Sequence, residues 1–263
     1  MALYAILCAK IRSRQGVKMS GHSKWATIKH KKGAADAKRG QMFTKLIKEI
    51  SIAARMGGGD PDSNARLRTA ILKARAANMP KDNIERAIKK GTGELGGAIY
   101  EELVYEAYAP GGVAVLIEVL TDNKNRAAAE VRNILNKGGG SLATANAVAR
   151  LFNRKGVVSL DGEKYTEETV MELALEAGAD DIANEDGEIV VYTTPEAFET
   201  VLNAINAKEW ETDGAEVSMV PETWVDVDAD TGAKINRMID RLEENDDVQN
   251  VYHNANLPES DEE

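Results

Sequence analysis

The stretch GVVSLDGEKYTEETVMELALEAGADDIANEDGEIVVYTTPEAFETVLNAINAKEWETDGAEVSMV (Gly156–Val220) decides the fold. Val157–Leu160 is a short apolar run of strand length, and Thr166–Ala177 carries a helical pattern. Asp180–Asn184 and Glu188–Thr193 read as a hairpin, Pro195–Asn206 as a second helix and Ala215–Val220 as a closing strand. The order βαββαβ is that of the ferredoxin-like unit.

The flanks are incomplete without each other. Before the unit, Glu102–Ala109 and Val113–Thr121 read as strands around the turn Pro110-Gly111-Gly112, followed by a helix over Lys124–Lys137 and a strand at Ala147–Phe152. After it come a strand at Thr223–Val227, a helix at Ala229–Asn245 and a strand at Val248–His253, with Ile235, Met238, Ile239 and Leu242 at helical spacing. Residues 97–155 and 221–263 are therefore expected to form one α/β domain interrupted by 156–220.

Further upstream the texture is helical. Gln41–Met56 places Phe43, Leu46, Ile47, Ile50 and Ala54 on one face, and Gly57–Ser63 ends that helix. A second helix turns Leu67, Ala70, Ile71 and Ala74 inward, and a third runs Pro80–Lys90 with Gly91 just past its end. The expected architecture is α+β: a small basic helical domain at 19–96 followed by two ferredoxin-like domains, one inserted in the other. Residues 1–18, apolar and then basic, reverse the order of a secretory signal. Without acids and with several basic residues they could form a very short mitochondrial presequence, but they are expected to be a non-structural extension ahead of a second start at Met19.

The formal charge of −10 conceals a segregation. Met1–Gly91 holds 21 basic and 6 acidic residues, a net of +15, whereas Thr92 onward holds 12 and 37, a net of −25. Such asymmetry points to a polyanion partner for the basic part. With 43% hydrophobic residues the chain is too apolar for general disorder. No stretch reaches the roughly 18 apolar residues of a membrane span. The single Cys8 excludes an intrachain disulfide and a multi-cysteine zinc site. A soluble, cytoplasmic protein with no membrane partner, no cofactor and no metal is expected.

Catalytic constellations are scarce. Gly91-Thr92-Gly93-Glu94-Leu95-Gly96 matches G-x-G-x-x-G, but a helix precedes it and a strand follows, the reverse of the dinucleotide-binding context. It reads as a helix cap and linker. The histidines His22, His30 and His253 belong to no H-E-x-x-H motif, and G-x-S-x-G is absent. No catalytic residue is assigned, and enzyme chemistry is not expected.

The cluster from His22 through Arg39 is different. Lys24, Lys29, Lys31, Lys32, Lys38 and Arg39 can neutralise phosphates, while Ser23, His22 and His30 add short-range hydrogen bonds. Trp25 offers either a stacking surface for bases or an anchor for the arm against the helical domain. Lys45 and Lys48, then Arg66, Arg68, Lys73, Arg86, Lys89 and Lys90, could extend the basic surface along the helices. An RNA-recognition motif is not indicated, because Val113–Thr121 carries no aromatic and does carry Glu118. The acidic α/β part suits contacts with proteins of the ribosome or the transcription machinery.

The segment MSGHSKWATIKHKKGAADAKRGQMFTKLIKEI (Met19–Ile50) resembles the YebC/PmpR family of bacterial regulators, whose mitochondrial relative is a translational activator of cytochrome c oxidase subunit I. Residues 57–94, 105–126 and 246–258 agree with it; Gly140–Arg150 departs from the usual glycine-rich form. The resemblance implies a three-domain architecture with one domain inserted in another, and no enzyme activity. It implies a DNA-binding transcriptional regulator or, alternatively, a ribosome-associated factor that binds ribosomal RNA and aids synthesis of difficult proline-rich stretches. The family's basic motif falls on Gly21, His22, Ser23, Lys24, Trp25, Lys29, His30, Lys31, Lys32, Lys38, Arg39, Phe43, Lys45 and Leu46.

Deleting residues 1–18 should leave both the melting temperature and the affinity for nucleic acid unchanged; a large loss of either would show that the extension is structural or functional.

Overall fold

The computed structural model describes residues 37–96, 99–185 and 187–257. Three helices come first: α1 (Ala37–Gly57), α2 (Ala65–Ala76) and α3 (Lys81–Gly91). Their shared core sets Ile50 and Ala54 of α1 against Leu67, Ala70, Ile71 and Ala74 of α2, as read from the sequence, and adds Ala53 of α1 and Ile84 and Ala87 of α3. Asn64 joins the first two helices. Its side chain accepts from the Leu67 N–H as the N-cap of α2 and donates to the carbonyls of Ala53 and Gly58 at the end of α1.

Gly91 corrects the sequence reading. It is the last residue of α3 rather than a residue beyond it, and it is glycine because α1 approaches closely. A Cβ there would lie 2.2 Å from the Ser51 carbonyl oxygen. The left-handed conformation that ends the helix falls instead on Gly93, at φ +86°.

The first sheet contains β1 (Glu101–Tyr108), β2 (Ala114–Thr121), the two-residue β3 (Ser141–Leu142) and β9 (Val248–His253), in the order β3-β1-β2-β9. β1 and β2 pair antiparallel from Glu101↔Thr121 to Tyr108↔Ala114 around the Pro110–Gly112 turn. β9 lies antiparallel on the other side of β2, with Val115 opposite His253 and a bulge at Glu118/Val119. Alternation sends Val115, Ile117 and Val119 to one face. There they meet Ala127, Val131 and Leu135 of α4 (Lys124–Lys137) and Ile235, Met238, Ile239 and Leu242 of α7 (Ala229–Glu243).

The second sheet, β4 (Phe152–Asp161), β5 (Asp181–Glu185), β6 (Glu188–Thr193) and β7 (Gly214–Pro221), runs β5-β6-β4-β7 with every neighbour antiparallel. Helices α5 (Glu167–Glu176) and α6 (Phe198–Ala207) cover one face, through Val170, Ala174, Val201 and Ile205 on Val158, Leu160, Ile189 and Val191. This is the ferredoxin-like order. The first sheet has the same spatial plan, two helices over four antiparallel strands, but reaches it with its edge-proximal strand β1 made first and its last strand β9 made after the chain returns from the second sheet. A short parallel pair, β8 (Val225–Asp226) with β10 (Ala255–Asn256), accompanies that return.

Two strand readings are corrected. Ala147–Phe152 is no strand; Ala149–Leu151 forms a single 3₁₀ turn and β4 begins at Phe152. The Glu106 carboxylate accepts from the backbone N–H groups of Asn146, Val148 and Ala149 at 2.6–2.8 Å, which takes those donors from any ladder. These bonds hold the Glu106 pKa below the usual carboxylate value despite the opposing pull of desolvation. The expected strand Thr223–Val227 shrinks to Val225–Asp226.

Leu135 has no exposed surface and sits between the first sheet and α7, whereas Leu72 of α2 is 58% exposed. Leu135→Ala should cost about 2–5 kcal/mol and Leu72→Ala no more than about 0.5 kcal/mol. Urea midpoints at constant m-value measure both; equal small losses would contradict this core.

Candidate nucleic-acid interface

Of the residues assigned from sequence to nucleic-acid binding, His22, Ser23, Lys24, Trp25, Lys29, His30, Lys31 and Lys32 lie outside the described residues. Lys38 stands in the first turn of α1, followed by Arg39, which is exposed. The remainder divide into cations that face solvent and cations that fasten the helices to the rest of the chain.

The second group overturns part of the expectation. Gln41, Lys45, Lys48 and Ile52 recur at the i, i+4, i+7, i+11 spacing of one helical face. The Gln41 amide donates to the Glu244 carbonyl and the Lys45 ammonium to the Glu243 carbonyl, at 2.8 and 2.7 Å. Both acceptors are at the C-terminal end of α7, whose last carbonyls have no intrahelical partner and where the dipole favours cations. Burial lowers the Lys45 pKa, opposed by the attraction of Glu243 and Asp246.

Lys48 goes further in. It is 6% exposed, and its ammonium donates to the Asp247 carboxylate at 2.6 Å and to the Asp246 carbonyl at 2.8 Å. The other Asp247 oxygen accepts from Thr121 at 2.9 Å and Arg126 at 2.8 Å. Desolvation would raise the Asp247 pKa; the hydrogen bonds from Lys48, Arg126 and Thr121 outweigh it and hold the group below its usual value. Arg66 is committed as well, bridging Glu49 of α1 at 2.8 Å and Glu102 of β1. Burial works against its charge, but the two carboxylates prevail and raise its pKa. Lys45, Lys48 and Arg66 are thus joints of the molecule, because carboxylates and carbonyls from distant sequence reach them first.

The outward cations are Arg39, Arg55, Arg68, Lys73, Arg75, Lys81, Arg86 and Lys89, all exposed on the three helices. Arg68 also donates to the carbonyls of Pro61 and Asp62, and Lys81 pairs with Glu85 at 3.4 Å, i to i+4 on α3. Arg55, Lys73, Arg75, Arg86 and Lys89 make no ion pair or side-chain hydrogen bond among the described residues. Arg55, Arg75 and Lys81 are additions to the sequence-derived set; their basic character and exposed helical positions were the available signal.

Behind this surface, Ser51, Arg55, Lys90, Gly91, Leu95 and Tyr100 help line a cleft of about 600 Å³. The Lys90 ammonium lies 4.8 Å from the Tyr100 ring centre and donates to its hydroxyl at 3.1 Å. The glycine-rich run Gly91–Gly96 here follows the C-terminus of α3 and leads to β1. It presents the negative end of a helix dipole, which disfavours a pyrophosphate. Among the described residues no group of three His, Cys, Asp or Glu could hold a metal ion. Among them, too, no helix is long and apolar enough to cross a membrane.

Two family models cover the molecule: the TACO1/YebC protein N-terminal domain matches residues 23–94 and the TACO1/YebC second and third domain matches 100–255. The chain belongs to the TACO1/YebC family. A relative from Treponema denticola is 69% identical over 241 residues, covering 92% of this chain and 98% of its own. One from Leptospira biflexa is 55% identical over 242 residues, with 92% and 98% covered. Both carry the name "Probable transcriptional regulatory protein". The crystal structure of a conserved hypothetical protein from Aquifex aeolicus superposes with a TM-score of 0.79 at 45% identity, covering 91% of this chain and 99% of that one. The YebC-family fold is therefore an α+β fold with a helical N-terminal region, and its relatives are named as regulatory proteins rather than enzymes.

Asp247→Ala should leave the Lys48 ammonium buried and unpaired, at a cost of about 3–5 kcal/mol. The Asp247 contribution is present above the unfolded-state pKa and is lost as pH falls through its depressed folded-state value. Urea unfolding should therefore show a wild-type advantage over Asp247→Asn at neutral pH that closes in acid; an advantage that persisted below both pKa values would refute the ionic role.

Proposed function

We propose that this chain is a non-enzymatic, cytoplasmic, DNA-binding regulator of transcription that grips phosphates through its basic N-terminal module. The observation that carries this is the division of the helical cations. Those at the seam are consumed by internal carboxylates and carbonyls, while Arg39, Arg55, Arg68, Lys73, Arg75, Arg86 and Lys89 remain exposed. They sit on the part of the chain that carries +15, beside a remainder carrying −25. The regulatory names of the relatives support the same reading.

The arm at His22–Arg39 supplies a second, sequence-adjacent set of cations for the same polyanion, with Trp25 positioned in the sequence among them. Such contacts fix register and orientation without reading bases. The acidic α/β domains, poor in surface suited to phosphates, contact proteins of the transcription machinery.

Binding of the full chain to duplex DNA should depend steeply on salt, with log K falling against log salt at about −4.5 if five phosphates are contacted. Lys31→Glu with Lys32→Glu should weaken binding to all sequences alike and flatten that slope by about 1.8. Crosslinking in cells followed by sequencing of bound DNA and RNA provides the physiological check: discrete promoter peaks are expected, and ribosomal RNA crosslinks without them would move the protein to translation.

A further inference from the structure

The acidic part of the chain, Thr92 onward, contains among its described residues a helical surface that does not share its charge. Helix α4 carries Lys124, Arg126, Arg132 and Lys137, four of the 12 basic residues found from Thr92 onward, against a single carboxylate, Glu130. Glu130 is half-buried at the margin of the outer face, next to Lys137, and its carboxylate is engaged by the Asn245 amide at 2.7 Å. The apolar residues Ala127, Val131 and Leu135 pack on the first sheet and α7.

What remains outside has a definite order. At 3.6 residues per turn, Arg132, Asn125, Asn136, Ala129, Asn133, Arg126 and Lys137 follow one another around an arc of about 140°. All seven are exposed. The middle of the arc is three amides and a small alanine; Arg132 forms one flank, Arg126 and Lys137 the other. Arg126 is tied to Asp122 and Asp247. Arg132 and Lys137 have no ion pair among the described residues, and the amides of Asn125, Asn133 and Asn136 have no hydrogen-bond partner there.

A merely solvated helix in an acidic domain has no reason to exclude carboxylates from its outer face. A helix read by duplex DNA does. The major groove admits an α-helix, amides pair with base edges, and cations on the two flanks meet the phosphates of the two strands. A-form RNA duplexes, whose major groove is deep and narrow, offer no such seat.

We propose that the outward face of α4 is a second contact with duplex DNA, in which Asn125, Asn133 and Asn136 face base edges while Arg132 and Lys137 hold phosphates on either side. The proposal rests on the DNA-binding reading above and adds to it the element that distinguishes one sequence from another. Its placement fits: the first turn of α4 and the middle of α1 meet at Asp247, through Arg126 and Lys48. The face of α4 is thereby fixed in position relative to the basic helical module.

The test uses the full chain, a pool of 20-base-pair duplexes of random sequence, and single-stranded RNA of equal length, read by fluorescence anisotropy across salt. Arg132→Glu with Lys137→Glu should weaken duplex binding at least tenfold and reduce the salt slope by about 1.8, corresponding to two phosphates. Melting temperature should hold, since both residues are exposed; should it fall, Arg132→Gln with Lys137→Gln must still show the reduced slope. Asn133→Ala with Asn136→Ala should leave affinity for the random pool and the salt slope intact while flattening the sequence preference recovered by selection from that pool. Unchanged duplex affinity and slope in the α4 charge variants, with Lys31→Glu and Lys32→Glu still damaging, overturns this contact and spares the arm. An effect confined to the single-stranded RNA also overturns it. Failure of the wild type to bind any duplex overturns the DNA-binding reading itself.

Discussion

The carboxylate of Asp247 is the point on which the described arrangement turns. Three donors reach it from three separate places: Lys48 from α1, Thr121 from the end of β2 and Arg126 from the first turn of α4. Its own position is set by the α7–β9 turn, where the Asn245 side chain accepts from its backbone N–H. A buried charge is costly to desolvate, and the cost is offset only when every donor is in place. The helical module can therefore sit against the α/β part in one register, and a slip of α1 by one turn would strand the buried Lys48 ammonium and leave one Asp247 oxygen without its donor, Thr121 and Arg126 still holding the other. The stripe Gln41–Lys45–Lys48 gives the same specificity a second basis, since α1 caps the otherwise unsatisfied carbonyls that end α7. The net stability from such bonds is modest. Their value is in geometry, because apolar contact alone would tolerate sliding.

Much of the chain announces itself locally. The βαββαβ order of Gly156–Val220 follows from alternation and helical periodicity, and the inward faces of the first two N-terminal helices fall where spacing puts them. The misses share one physical cause, which is that the deciding partner is remote in sequence. Ala147–Phe152 has strand-like composition, yet Glu106, some forty residues earlier, claims its N–H groups. Lys48 looks like any lysine on an amphipathic helix; Asp247 lies 199 residues away. A signal was nonetheless present, for Gln41, Lys45, Lys48 and Ile52 keep an apolar stripe's spacing while being mostly polar. Polar residues at core spacing mark a face that docks through hydrogen bonds. Gly91 misled in the same manner: a glycine at a helix end reads as a cap, and only the proximity of the Ser51 carbonyl shows that it is there for want of a side chain.

Charge segregation and the seam must be considered together. Lys45, Lys48 and Arg66 join the helical module to the α/β part, and Lys124 with Glu101 adds a pair beside it. These contacts neutralise positive charge where the acidic remainder begins, so the cations left over are those exposed on the three helices. The exposed pairs among them, Arg66–Glu102 and Lys124–Glu101, contribute little stability by themselves. Their consequence is to keep the two signs of charge on opposite sides of a fixed joint.

That arrangement constrains how a polyanion can approach. At physiological ionic strength the Debye length is about 8 Å, so a phosphate more than one such length from the acidic domains feels mainly the cations nearest to it. A strand arriving along the module's outer helices meets attraction; the same strand rotated toward the second sheet meets carboxylates at short range. On the DNA-binding proposal, the acidic part would act on orientation more than on affinity, in the way like-charge juxtaposition suppresses wrong partners. The cation-flanked face of α4 lies within that acidic part, and Asp247 ties it to the helical module through Arg126 and Lys48. On the DNA-binding proposal, a duplex lying on both would meet them in the same relative placement in every molecule, because a buried, fully hydrogen-bonded charge tolerates no sliding.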